Sequence, residues 1–174
     1  MLSKKYWLIA GLVLAAALLR IFPHPPNFAP VAAMALFAGA QLDNKKLAFL
    51  IPLVAMLLSD IVIGFHDGLV LVYVCMCIAV AIGMQLRGRI GSLTVTGGAL
   101  ASSLIFFVVT NFGVWLSSGM YPLSLAGLVA CYVAAIPFFH YTIAGDLFYA
   151  GVLFGGFALI QTKLPSFRSE PTGV

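Results

Sequence analysis

Residues 47–64 read LAFLIPLVAMLLSDIVIG, and this stretch decides the class of the fold. Asp60 is the single charged residue within it. An α-helix rises about 1.5 Å per residue, so roughly 20 apolar residues in a row span the hydrocarbon core of a bilayer. The stretch therefore predicts a transmembrane helix. Comparable apolar stretches lie at residues 6–22, 28–41, 69–86, 93–116, 123–139 and 141–162.

The composition of the whole chain agrees with a membrane protein. Apolar residues make up 63% of the 174 positions and charged residues 8%, against about 45–50% and roughly 25% in soluble domains. We expect residues 1–174 to form a single transmembrane domain. The net charge of +4 does not indicate nucleic-acid binding, because the basic residues lie in pairs between apolar stretches. The three cysteines lie inside apolar stretches and predict no disulfide framework.

The basic residues predict the orientation of the chain, because cytoplasmic loops are enriched in Lys and Arg. We place the N-terminus in the cytoplasm, treat residues 6–22 as an uncleaved first span, and let the first five stretches cross. A C-terminal tail on the same face requires an even number of crossings. The basic residues assigned to the cytoplasmic face are then Lys4, Lys5, Lys45, Lys46, Arg87, Arg89, Lys163 and Arg168.

One of the last two stretches must therefore fail to cross, and residues 123–139 are the better candidate. Pro122 and Pro137 flank this stretch, and Gly127 lies within it. We predict an all-α protein, a six-transmembrane-helix bundle with an additional partly embedded helix in the last outer loop. The alternative is seven spans with the tail outside. The expected location is the bacterial inner membrane, with both termini cytoplasmic.

In this topology the unusual polar residues collect at the outer ends of the helices. Ionisable residues inside a membrane are costly and usually face the bundle interior. One interpretation is a structural ion pair of Arg20 with Asp60 or Asp146. The other is an outward-facing pocket for a small organic solute, which the two carboxylates would help to bind. The substrate-binding candidates are Arg20, His24, Asn27, Asp60, Asn111, Trp115, Tyr121, His140 and Asp146.

Metal binding and catalysis have weaker signals. His24, His66 and His140 lie in loops or at helix ends, and no two of them have the i, i+4 spacing of a helical metal site. Ser59 and Asp60 have no nucleophile elbow or oxyanion loop beside them. We therefore expect no enzyme, no catalytic residue and no resident metal or cofactor.

Small residues four apart allow close approach of membrane helices. Gly11 and Ala15 form one such pair, and Ala35 and Gly39 form another. Either pair predicts packing inside the bundle or a docking groove for a partner membrane protein.

Several motifs resemble the signature of a small bacterial inner-membrane family of unknown function, whose members are described as transport proteins. They are RIFPHPPNFAPVAAMALFAGA at residues 20–40, LSD at 58–60, TNFGVWLSSGMYP at 110–122, and the pair Gly145-Asp146. The family is similar in layout to the S-components of energy-coupling factor (ECF) vitamin transporters. Those are six-helix proteins that capture a vitamin or metal at the outer face, and most deliver it to a transmembrane coupling subunit with ATPases.

This resemblance implies capture of a small solute, such as a vitamin, and a coupling partner in the bilayer. The chain begins Met1-Leu2-Ser3 and so lacks the histidine that cobalt and nickel S-components carry after the initiator methionine. The solitary S-components that bind cobalamin use a membrane cysteine as a cobalt ligand, near histidine, aspartate and tyrosine residues. By this resemblance cobalamin is one candidate solute for the present chain, with Cys75 or Cys77 as the cobalt ligand beside His24, Asp60 and Tyr73. The alternative function is a non-transporting membrane scaffold or accessory subunit of another membrane complex.

Overall fold

The computed structural model describes residues 3–164 and 167. Within these residues the secondary structure consists of six helices and no strand, which confirms the all-α prediction. Arg168, predicted to lie at the cytoplasmic face, falls outside the described residues. The helices are α1 (Lys4–Leu19), α2 (Val31–Gln41), α3 (Lys45–Ile63), α4 (Leu69–Gln85), α5 (Ser92–Ser117) and α6 (Leu125–Lys163).

Three helices of the described chain, α3, α5 and α6, are long and apolar enough to cross a membrane. α2 and α4 are shorter apolar helices. Six crossings therefore stay a prediction. α1 and α2 are shorter than their apolar stretches because the link between them contains Pro23, Pro25, Pro26 and Pro30. Proline lacks the backbone N–H that a helix interior needs, so α2 begins only after Pro30.

The prediction of a separate helix over residues 123–139 is wrong. α6 runs through Pro137 without a break and includes 39 residues. Its length is about 58 Å at 1.5 Å per residue, roughly twice the hydrocarbon core. Proline is tolerated inside membrane helices. A break in the helix would expose backbone N–H and C=O groups to apolar surroundings, where no water is present to bond them. Continuing the helix costs one hydrogen bond, whereas a break would leave several groups unsatisfied.

The distribution of side chains suits a bilayer. Large apolar side chains point outward on every helix except the enclosed α2, for example Trp7, Leu50, Val70, Leu93 and Leu125. Exposed apolar surface of this extent is unusual in water-soluble monomers. The interior is rich in alanine instead, which allows close helix contact. Buried alanines include Ala16, Ala17, Ala32, Ala33, Ala35, Ala38, Ala40, Ala48, Ala55, Ala79, Ala99 and Ala150.

α2 lies at the centre of the bundle and contacts all five other helices. Residues 32–40 are buried without interruption. Its closest neighbour is α4, where a Cβ at Gly39 would overlap the carbonyl oxygen of Val80 and a Cβ at Gly83 would overlap that of Leu36. Gly39 therefore packs inside the bundle, which is one of the two uses predicted for it. Gly11 has open space around it on the outside of α1.

Both ends of the buried helix α2 receive polar groups from other parts of the chain. Helix termini leave backbone groups without intrahelical partners, and apolar surroundings make such groups costly. At the C-terminal end, Arg87 donates from Nε to the Gly39 carbonyl at 2.9 Å and from a terminal nitrogen to the Asp43 carbonyl at 3.2 Å. At the N-terminal end, Asp146 of α6 interacts with the backbone of Ala33.

Candidate functional site

A cavity of about 950 Å³ lies at the end of the bundle formed by the α1–α2, α3–α4 and α5–α6 links. The α5–α6 hairpin supplies one wall. The C-terminal end of α3 and the N-terminal end of α4, together with the α1–α2 and α3–α4 links, supply the other. Five of the predicted site residues line it, namely Arg20, His24, Asn27, Asn111 and Asp146. The four that do not line it are Asp60, Trp115, Tyr121 and His140.

Arg20 and Asp60 form an ion pair beside the cavity. The guanidinium nitrogen Nη1 lies 2.8 Å from Asp60 Oδ1 and also donates to the Ser59 hydroxyl. The Tyr73 hydroxyl donates to Asp60 Oδ2 at 2.9 Å. Both oxygens of this fully buried carboxylate are thus occupied by the protein itself. Of the two ion pairs considered for Arg20, the structure contains the one with Asp60, which holds Arg20 in the cavity wall.

Asp146 lies at the inner end of the cavity and is 2% exposed. The hydroxyl of Ser103 on α5 lies 2.6 Å from its Oδ2 atom and 3.0 Å from the Ala99 carbonyl oxygen, and the shorter distance assigns the single hydroxyl proton to the carboxylate. The preceding residue explains how α6 reaches the start of α2, because a Cβ at Gly145 would lie 3.1 Å from the Phe28 Cα atom. A side chain there would push α6 outward and draw Asp146 away from Ala33. The Gly145-Asp146 pair therefore places a carboxylate at the N-terminus of α2.

The polar residues of α5 satisfy part of their own hydrogen-bonding capacity. Thr110 donates to the Phe106 carbonyl at 2.7 Å, and Asn111 Nδ2 donates to the Phe107 carbonyl at 2.8 Å. Such bonds to the preceding turn are common for polar side chains in membrane helices. Since the amide of Asn111 uses its nitrogen for this bond, its side-chain oxygen is the acceptor it can offer to the cavity.

The other predicted aromatic and imidazole groups have different surroundings. Trp115 shares a helix face with Asn111, but its indole N–H donates to the Pro122 carbonyl at 2.9 Å and so closes the α5–α6 link. Tyr121 is half-buried in that link. His140 is exposed, and its ring lies 5.1 Å from that of Tyr141. At the cavity rim, His24 and His66 each pair Nδ1 with the carbonyl of the following residue, at 3.0 and 2.7 Å.

The sequence analysis did not identify the aromatic wall of the cavity, formed by Phe106, Phe107 and Phe138. A signal for part of it was present, because Ser103, Phe107 and Asn111 follow one another at four-residue spacing and so share a face of α5. Phe107 is held by Phe139 of α6, with ring centroids 4.4 Å apart.

The cysteines lie elsewhere. Cys75 and Cys131 are buried and Cys77 is partly buried, and none of them lines the cavity. In the part of the chain that the structure describes, no three His, Cys, Asp or Glu side chains come together in a group that could hold a metal ion.

Membrane-length apolar helices and an alanine-rich interior define the class as a helical membrane protein, and a largely apolar cavity with a few polar groups lies at one end of it. The chain belongs to a family of unknown function (DUF6580), whose sequence model matches residues 1–167. This match confirms the predicted membership of a family without an established function. No curated protein and no solved structure matches the chain. The similarity to ECF S-components stays a prediction.

Proposed function

We propose that this protein captures a small organic solute from the outer face of the membrane, in the manner of an S-component. The observation that carries the proposal is the cavity of about 950 Å³. Ligand pockets of about 300–1,000 Å³ are typical of small-molecule sites, with apolar walls and a few placed polar groups. Here the apolar walls come from Phe106, Phe107, Phe138, Leu71 and Val72.

The charge distribution supports an outward opening. The cavity end of the described chain carries Arg20, and Asp60 neutralises it. The basic residues at the opposite end are Lys4, Lys5, Lys45, Lys46, Arg87, Arg89 and Lys163. Because Lys and Arg concentrate on the cytoplasmic side, we infer that the cavity faces outward in the bacterial inner membrane and that both termini are cytoplasmic.

Binding would combine burial of an apolar ligand body with a few directional bonds. Asn111 offers its side-chain oxygen, Thr110 its hydroxyl, and Asp146 its carboxylate. Arg20 presents the remaining donors of a guanidinium that the ion pair keeps in place. His24 and Asn27 of the α1–α2 link would close over the ligand. Cys75 and Cys77 lie away from the cavity, so they give no support to a cobalt ligand.

A coupling partner belongs to the proposal. The sequence contains no nucleotide-binding motif, so an ATP-driven step would come from a transmembrane subunit with ATPases. Gly11 and Ala15 on the exposed side of α1 would allow close approach of a helix of such a subunit. The alternative, a scaffold without transport, would be expected to fill its outer end with its own side chains. The cavity favours capture over that alternative.

Native mass spectrometry of gently extracted protein tests the proposal. We expect a small molecule to dissociate from the wild-type protein on activation. Thr110→Trp would fill the cavity and should yield protein without the bound mass. Leu104→Trp is the matched control, because Leu104 lies on the exposed side of the same helix and should leave the bound mass unchanged. Identical spectra for all three proteins would contradict the proposal.

A further inference from the structure

The charges around the cavity do not balance. Arg20, Asp67 and Asp146 are its lining residues with a formal charge. Asp60 already neutralises Arg20 at 2.8 Å. In the part of the chain that the structure describes, no lysine and no second arginine lines the cavity. The rim histidines add no formal charge in their neutral form. Two carboxylates, Asp67 at the rim and Asp146 at the inner end, therefore face the cavity without a countercharge.

Asp146 is the more informative of the two carboxylates because it is only 2% exposed. No ion pair of the described residues includes it. Its partners are the Ser103 hydroxyl and the backbone of Ala33, both uncharged. Burial of a carboxylate without a cation is energetically costly. A ligand that brings a positive charge to this position would remove most of that cost.

The cavity walls suit the same kind of ligand. Phe106, Phe107 and Phe138 line the cavity, and the faces of aromatic rings attract cations. The aliphatic side chains Leu71 and Val72 on the opposite wall would cover an uncharged hydrocarbon part. An anionic ligand would instead approach two carboxylates that have no countercharge, and the positive charge of Arg20 is already balanced by Asp60.

We propose that the cavity binds an amphipathic organic cation, with its amine or ammonium group against Asp146 and its apolar body along the Phe107 and Phe138 wall. This inference rests on the proposed capture function and names the chemical class of its solute. Asp146 would act as the countercharge, and Ser103 and the N-terminus of α2 would fix its orientation.

A set of charge-matched probes tests the inference on detergent-purified protein. The probes are phenethylamine, tryptamine and amantadine, each beside its uncharged N-acetyl derivative and the carboxylate of the same skeleton. Binding is followed by the rise in apparent Tm and by titration. We expect the amines to stabilise the wild-type protein and their N-acetyl and carboxylate counterparts to do so far less.

Three variants test whether Asp146 binds the amine through its negative charge or affects binding only through its shape and hydrogen bonds. Asp146→Asn keeps the shape of the side chain and should weaken amine binding by about 30-fold or more, as loss of one partner of a buried charge pair does. Asp146→Glu should recover part of it. The control is Asp43→Asn, at the opposite end of the bundle, where Asp43 lies 3.8 Å from Lys5 Nζ, and it should leave amine affinity unchanged.

The outcomes distinguish the two proposals. Equal stabilisation by the N-acetyl or carboxylate probes, or unchanged amine affinity in Asp146→Asn, would overturn the cation inference and leave capture of a solute standing. No stabilisation by any probe, together with wild-type protein that carries no bound mass, would overturn both.

Discussion

Ser103 of α5 and Asp146 of α6 are joined by a hydrogen bond of 2.6 Å at the inner end of the cavity. This bond links the two helices of the hairpin that forms one cavity wall. It also orients the carboxylate toward the start of α2, whose first backbone N–H groups have no helical partner. One side-chain pair thus connects the central helix, the hairpin and the candidate site.

Ser103→Ala should destabilise the protein by about 1–2 kcal/mol, because it removes the donor to a buried carboxylate. Ser102→Ala is the matched control. Ser102 is also buried, but its hydroxyl donates only to the Gly98 carbonyl within α5, so its loss should have little effect. Apparent unfolding free energies in one detergent provide the comparison. Equal effects of the two substitutions would contradict the role assigned to Ser103.

Arg20→Met should destabilise the protein by about 3–5 kcal/mol, because it leaves Asp60 buried without its cation. Asp60→Asn should have a similar effect through the unpaired guanidinium. The double variant should be more stable than the sum of the single changes predicts. A thermodynamic cycle over the four proteins measures this coupling, and additive effects would show that the pair contributes no interaction energy.

Gly39→Ala should be among the most harmful small substitutions in the chain. Its methyl group would overlap the Val80 carbonyl oxygen, so α2 and α4 would have to separate, at a cost of about 1–3 kcal/mol or more. Gly97→Ala on α5 has open space around its Cβ position and should change stability by less than about 1 kcal/mol. Thermal unfolding of both variants checks the contrast. Equal melting temperatures for Gly39→Ala and Gly97→Ala would contradict the close packing assigned to Gly39.

Cysteine labelling tests the orientation. In a variant whose native cysteines are replaced by alanine, Asp67→Cys should react with a membrane-impermeant maleimide in intact spheroplasts. Lys46→Cys, at the other end of α3, should react only after lysis. The reverse pattern would place the cavity on the cytoplasmic side and would remove the argument for capture from outside.

The sequence predicted the positions of the helices well where apolar stretches end at turn residues. α3 and α4 follow the predicted stretches closely, since Asn44 caps α3 by accepting from Lys46 and Leu47 and Gly64 follows its last residue. The break expected in α6 was wrong, because the effect of Pro137 depends on its surroundings. In water a proline often ends a helix, whereas apolar surroundings favour its continuation.

The site was predicted less completely, because partners in space cannot be read from residue types. Arg20 could pair with either of two aspartates, and the packing of α1 on α3 selects Asp60. Trp115 has the spacing of a cavity residue but bonds to Pro122 instead. Phe138 lies next to a proline in a stretch expected to form a separate helix, so its place in the cavity wall depended on the continuity of α6.

An experimental structure of the protein as purified, determined by electron cryomicroscopy in a lipid nanodisc, tests the central claim most directly. The account predicts non-protein density in the cavity, between Asn111 and Asp146, with Phe107 and Phe138 along its wall. A structure in which Phe107 and Phe138 fill this space and leave no room for a ligand would contradict capture of a solute at this site.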